Sequence, residues 1–229
     1  MNPSSKTLGI IHAINLTIRA MQPFLEKYLP EVEIMHLCDD TIQRDNIRAG
    51  VGVIPKANYF KFAQYAHNLQ EAGADMILLA CSTFNYAAEL ARPMIDIPIM
   101  QIDRPMMEEA VRQGKRVGLL ATLPTTVPSS ERLLRIVAAE QGREVEITTV
   151  LRPEAFAAIQ KNDVETHNRI LLEQIDRLSD KVDSIVLAQL SMSALAPFLP
   201  VTRVPVYNSG TTGFGRIRQM LELDSAAVA

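Results

Sequence analysis

Long apolar stretches are missing from this chain of 229 residues, and so are basic clusters and any abundance of cysteine. A membrane-spanning helix needs ~20 consecutive apolar residues, and no run approaches that. The apolar run that opens at Leu8 covers only six residues, too few for the core of a signal peptide. Lysine and arginine total 23 against 26 aspartates and glutamates; a net charge of −3 without a basic patch argues against nucleic acid as a partner. Two cysteines and no secretory signal imply free thiols in a reducing compartment, so a soluble cytoplasmic protein is expected. Histidine, aspartate and glutamate show no ligand spacing, and Asp39 and Asp40 are too few to claim a metal. What the chain does have is 48% hydrophobic content, enough for a large core in one or two domains.

The most informative segment is Met76-Ile-Leu-Leu-Ala-Cys81-Ser-Thr83. Four apolar residues after Asp75 read as a strand buried on both faces. A cysteine stands where that strand should end, followed by two hydroxyl residues and a helical pattern. Unpaired N–H groups and the positive end of a helix dipole favour thiolate, so the Cys81 pKa is expected to fall, making the sulfur a base or nucleophile. The competing reading is a small core residue.

The second half repeats this segment with one change. Asp75-Met-Ile-Leu-Leu-Ala-Cys81 aligns with Asp183-Ser-Ile-Val-Leu-Ala-Gln189, an offset of 108 residues. Leu8-Gly9 aligns with Val117-Gly118, Glu31-Val-Glu-Ile34 with Glu144-Val-Glu-Ile147, and Ile97-Pro98-Ile99 with Val204-Pro205-Val206. Matches in the same order point to a duplicated α/β unit rather than a solenoid of many short repeats. One copy carries a thiol where the other carries an amide.

Periodicity and breakers predict strands at 8–12, 32–37, 76–80, 97–101, 116–121, 145–150, 184–188 and 203–207. Helical patterns cover 16–28, 57–72, 83–92, 104–113, 128–141, 163–179 and 213–222. Alternation of the two means parallel sheet with helical crossovers. Two doubly wound halves of four strands satisfy this, and so does one eight-stranded barrel. In either, ligands gather at the carboxyl ends of the strands, where Cys81 and Gln189 both lie.

Essentially the whole chain resembles the aspartate/glutamate/hydantoin racemase superfamily. The resemblance rests on Cys81-Ser82-Thr83, similar to the family's signature cysteine, and on Gly118-Leu-Leu-Ala-Thr122-Leu-Pro-Thr125-Thr126, similar to its glycine-bearing strand and threonine cluster. It implies two similar α/β domains related by a pseudo-two-fold axis, each with a four-stranded mainly parallel sheet and with an active-site cleft between them. It also implies that the last helix returns to the first half, giving domains at 1–104 plus 210–229 and at 105–209. Cofactor-independent chemistry on a small carboxylate is implied, and a homodimer is the expected assembly. Family members place a second cysteine where this chain has Gln189.

Inverting a centre next to a carboxylate requires proton removal on one face and return on the other. A weak carbon acid also needs N–H and hydroxyl donors to hold the carboxylate and the enolate-like intermediate. An amide can hydrogen-bond but cannot shuttle a proton near pH 7. Gln189 therefore leaves several chemistries open: one-thiol racemisation, protonation of an enolate after decarboxylation, cis–trans isomerisation by addition of Cys81, or silent binding of a small acid. Ser82 and Thr83 either bind a carboxylate or cap a helix. Thr122, Thr125 and Thr126 fit an opposing carboxylate clamp or a plain turn. Asn15 reads as a polar contact or an N-cap, and Ser191 as one more hydroxyl beside Gln189.

Other residues fit blander roles. Cys38 reads as a buried structural thiol and His12 as a satisfied interior histidine. Asn208-Ser209-Gly210-Thr211-Thr212-Gly213 reads as a surface turn rather than an anion nest.

Overall fold

The structure, a computed structural model, describes residues 6–223. Its first half runs β1 (Thr7–His12), α1 (Leu16–Tyr28), β2 (Glu33–Cys38), α2 (Asp40–Ala49), α3 (Lys56–Glu71), β3 (Met76–Leu79), α4 (Tyr86–Ala91) and β4 (Ile99–Gln101). The second runs α5 (Arg104–Gln113), β5 (Arg116–Ala121), α6 (Val127–Glu140), β6 (Glu146–Leu151), α7 (Pro153–Gln160), α8 (Val164–Ser179), β7 (Ser184–Leu187), β8 (Val206–Asn208) and α9 (Ser209–Met220). Two separate four-stranded sheets form, ordered β2-β1-β3-β4 and β6-β5-β7-β8, with every pairing parallel. The barrel is thereby excluded. The duplicated sequence has become duplicated topology.

Strand alternation builds the layers. On one face of the first sheet, Leu8, Ile10, Met76 and Leu78 pack against Met21 and Leu25 of α1 and Phe214 and Ile217 of α9. On the other face, Ile11, Ile77 and Leu79 meet Phe62, Ala66 and Leu69 of α3 and Ala88 of α4. The second sheet repeats the scheme, with Val117, Leu119 and Val186 against α5 and α6, and Leu120, Ile185 and Leu187 against α8. All four residues of β3 and of β7 are buried, as a strand covered on both faces demands.

One hydrogen bond recurs where the repeat predicts it. Asp75 accepts from the Thr7 N–H and Asp183 from the Arg116 N–H, each at 2.8 Å, tying the start of the neighbouring strand to the residue before β3 or just before β7.

Several boundaries differ from the sequence pattern. The helix expected over 83–92 begins as a 3-10 turn at Ser82–Phe84 and ends in another at Arg92–Met94. Helices α2 and α7 and the 3-10 segment Leu190–Phe198 were not expected. The segment 208–213 is no surface turn: Asn208 accepts from the Thr211 N–H at 2.9 Å and caps α9, and Ser209 and Gly210 are buried. Gly213 explains how close α9 can come. A Cβ there would stand 2.9 Å from the Ile102 carbonyl oxygen, so only glycine lets the helix rest on the chain leaving β4.

Candidate active site

Strands β3 and β7 end alike. Cys81 and Gln189 both have extended backbone, and each opens a 3-10 turn at the carboxyl end of its sheet. They line one cavity of about 70 Å³, which also receives Ser82, Thr83, Thr126 and Ser191. Its apolar wall includes Ile14, Leu16, Phe156 and Leu190. Both halves contribute, and Thr83 Oγ1 of the first lies 3.3 Å from Thr126 Oγ1 of the second.

Gln189 is held rather than loose. Its Oε1 accepts from the Thr122 N–H at 2.7 Å and from the Thr122 hydroxyl at 2.9 Å. Thr122 thus stands behind Gln189 and outside the cavity lining, while Thr125 lines a neighbouring cavity instead. Asn15 is exposed at the start of α1, its side chain makes no cap bond, and it does not line the cavity.

Cys81 departs from the expected thiolate. Burial pushes its thiol up to about 12; the Phe84 N–H opposes this, the charge of Asp103 adds to it, and the Thr83 N–H opposes it again. The turn donors are therefore present as the sequence implies. Desolvation outweighs them. Cys38 is the reverse correction: it is exposed at the end of β2, with burial, Asp40 and Asp39 raising its thiol more modestly. Limited alkylation near neutral pH should accordingly label Cys38 well before Cys81, read by mass spectrometry of the two peptides. Cys81 is half-buried, so faster labelling there would show that its thiol is not held neutral.

Asp103 was not among the expected site residues. It follows β4, is fully buried, and its Oδ2 accepts from Asn85 Nδ2 at 3.1 Å. Burial raises its carboxyl from 3.8 to about 6, against hydrogen-bonding influence from Ser82, Asn85 and Ser209. Oδ1 and the Ser209 hydroxyl are each buried without a well-formed hydrogen bond. An acid at the carboxyl end of a strand, just ahead of the Arg104-Pro105 pair that opens α5, was the available signal.

The sign of the pH effect follows from those values. Below pH 3.8 the carboxyl is protonated both folded and unfolded. As pH rises through 6, the folded chain must ionise a buried group and loses up to about 3 kcal/mol relative to acid pH. Asp103→Asn should remove that loss. Denaturant midpoints of the two proteins between about pH 4 and about pH 8 should diverge on the alkaline side, in favour of the variant. His12 titrates identically in both and cancels. A constant difference across the range would refute the raised carboxyl.

His12 is an interior residue, its Nδ1 2.7 Å from Thr17 Oγ1 and its Nε2 2.9 Å from His36 Nδ1. Burial, then His36, hold its pKa down to about 3. Neither histidine lines the cavity at Cys81. Among the described residues no group of three His, Cys, Asp or Glu is placed to hold a metal ion, and no helix is long and apolar enough to cross a membrane.

The sequence model of the Asp/Glu/Hydantoin racemase family matches residues 19–216. The chain belongs to that family. Among curated relatives, the Asp/Glu/hydantoin racemase family member is 28% identical to the glutamate racemase of Trichormus variabilis over 162 residues, 68% of this chain and 54% of that one. It is 24% identical to the glutamate racemase of Aquifex pyrophilus over 149 residues, covering 62% and 57%. The chain thus spans about half the length of the curated relatives it matches. Among solved structures, an aspartate racemase homologue from Pyrococcus horikoshii OT3 superposes with a TM-score of 0.70 at 15% identity, covering 95% of this chain and 99% of that one. The allantoin racemase from Klebsiella pneumoniae gives 0.65 at 18% identity, covering 98% and 93%. At these identities the structural likeness establishes the fold.

Proposed function

We propose that this family member is a cofactor-independent racemase or isomerase that moves a proton at the carbon next to the carboxylate of a small acid, with Cys81 as its proton-transfer group. The observation that carries the reading is the shared cavity: Cys81 and Gln189 close equivalent strands of two like-ordered sheets and face the same space. The substrate carboxylate is received by the Ser82, Thr83, Thr126 and Ser191 hydroxyls and the turn N–H groups, with Thr122 acting by holding Gln189. Asn15 and Thr125 have no part in this inner pocket. The glutamate racemases among its relatives support an amino acid as substrate.

A thiol held near 12 is neutral at physiological pH, so as it stands it can give a proton but cannot take one from carbon. To remove a proton from the substrate carbon, Cys81 must first pass its own to a base, and Asp103, the buried carboxylate whose charge helps raise the thiol, fills that role. Gln189 supplies no acid or base, so inversion of the centre needs water to serve the face opposite Cys81, and exchange on the Cys81 face is the faster. The same neutral thiol favours a second reading. After loss of CO2 from a malonate-type diacid, the enolate takes the Cys81 proton and the thiolate regains one from water; the apolar wall of Leu16, Phe156 and Leu190 assists by disfavouring the departing carboxylate.

The same proposal divides the chain into 1–104 plus 210–229 and 105–209, supported by Phe214 and Ile217 packing with Leu8 and Met21. A homodimer and a cytoplasmic location complete it, the latter supported by two unpaired cysteines. The test is incubation in D2O with amino acids, hydantoins and dicarboxylates, followed by NMR. One-sided deuterium incorporation supports proton transfer, and CO2 release with one enantiomer in excess supports the decarboxylase. Ligand-induced stabilisation without exchange or turnover would make the chain a silent binder.

A further inference from the structure

A line of hydrogen bonds runs from solvent to the Cys81 cavity through side chains of β2, β1 and α1. Parallel register pairs Ile10 of β1 with His36 of β2, so His12 stands one pleat further along the same face. The two imidazole rings lie 5.1 Å apart between centroids, and His12 Nε2 is 2.9 Å from His36 Nδ1. On its other side His12 Nδ1 is 2.7 Å from the Thr17 hydroxyl, which donates to the Ile14 carbonyl at 2.8 Å. His36 is exposed, His12 is 0% exposed, and Thr17 lines the cavity at Cys81.

The direction of each bond follows from the last. Thr17 gives its hydrogen to Ile14, so it accepts from His12 Nδ1–H; His12 Nε2 is then the bare nitrogen and accepts from His36 Nδ1–H. Nε2 of the exposed His36 ring is left bare in turn. Burial, then His36, hold His12 down to about 3, so its ring stays neutral, the form that gives a proton at one nitrogen and takes one at the other. A buried histidine held by a backbone carbonyl, as His167 is by Ala155, ends its hydrogen bonding there. His12 instead joins an exposed titratable ring to a hydroxyl of the cavity. Among the described residues, Thr17 is the one cavity-lining side chain bonded to a histidine.

We propose that His36, His12 and Thr17 are a proton path between solvent and the Cys81 cavity, exchanging protons with the site while a substrate fills it. The inference rests on reading that cavity as the place of proton transfer. Inward, the Thr17 hydroxyl turns from Ile14, gives its proton to the acceptor in the cavity and takes the Nδ1 proton of His12. His12 takes the Nδ1 proton of His36 at Nε2, and His36 takes one at Nε2 from a solvent water, which leaves as hydroxide. One proton has entered, no ring has carried a charge, and the bonds between the three side chains now run the other way. Outward transfer reverses each step and restores them. Asp103 is 0% exposed and Gln189 does not titrate, so neither replaces a proton from solvent by itself.

Nitrogen-15 NMR of the ligand-free protein reads the path without requiring turnover. The buried His12 N–H should exchange its hydrogen with D2O, and His36→Gln or Thr17→Val should slow that exchange by about tenfold or more, to the rate that local opening sets. Glutamine keeps a donor for His12 Nε2 but relays no proton. Substrate α-hydrogen exchange in D2O should fall by about tenfold or more in His36→Gln, with binding of the acid changed less than about twofold, and imidazole in the buffer should restore part of the rate. Unfolding of the variants checks that the fold is intact. Unchanged His12 N–H exchange in both folded variants overturns the path, and so does a fall in substrate exchange matched by an equal loss of binding. Cys81-dependent substrate exchange that is indifferent to His36→Gln also overturns it, while leaving the proton-transfer reading in place. Slowed His12 exchange in the variants, with no substrate exchange on any acid, does the opposite: the path stands and the proton-transfer reading falls.

Discussion

Replacing Gln189 with cysteine is expected to raise the interconversion of substrate enantiomers by about two orders of magnitude, the scale of a well-placed acid–base group. Gln189 follows β7 as Cys81 follows β3, and both line one cavity. The Thr122 N–H and hydroxyl that now serve Gln189 Oε1, at 2.7 and 2.9 Å, would be left to stabilise a thiolate at the new residue. The second face would then gain the base it lacks. Cysteine is shorter than glutamine, so Thr122 loses part of its bonding, and about 1–3 kcal/mol of stability should go with it. Chiral chromatography of the product over time reads the outcome. Interconversion unchanged in a folded Gln189→Cys variant would mean that residue 189 does not face the second side of the reacting carbon.

Much of this arrangement is legible in the sequence because duplication makes each half a control for the other. Asp75 and Asp183 mark the starts of the central strands in both copies, and both make the same hydrogen bond to the neighbouring strand. The four-residue apolar runs of β3 and β7 could only be buried on both faces, and they are. Helix α2 escaped notice because it buries only Ile42 and Asn46, too few apolar positions to show a period. Helix α7 is eight residues long and falls below the length at which periodicity speaks.

The site was legible by position and not by electrostatics. Cys81, Ser82, Thr83, Thr126, Gln189 and Ser191 do come together in one cavity, whereas Asn15 faces solvent and Thr125 serves the next cavity. Local sequence displays the N–H donors that lower a thiol pKa. It does not display burial, nor a carboxylate brought in from the end of another strand, and those two decide the Cys81 proton. Asp103 has no counterpart in the repeat, because the second half closes β8 with Asn208-Ser209-Gly210 rather than an acid.

The central claim is that Cys81 carries the proton. The Asp103 carboxyl remains in Cys81→Ala, and so do the hydroxyls that line the cavity, so binding is expected to survive while the group proposed to exchange with carbon is gone. General acid–base groups of this kind contribute ~10²–10⁴-fold, and among the described residues no other thiol or histidine lines the cavity to replace it. The most direct measurement is proton NMR of substrate α-hydrogen loss in D2O, run in parallel with the wild type and Cys81→Ala. Exchange should be detectable on at least one small carboxylate for the wild type and fall by at least ~10²-fold in the variant; exchange that persists in folded Cys81→Ala would place the chemistry on another residue.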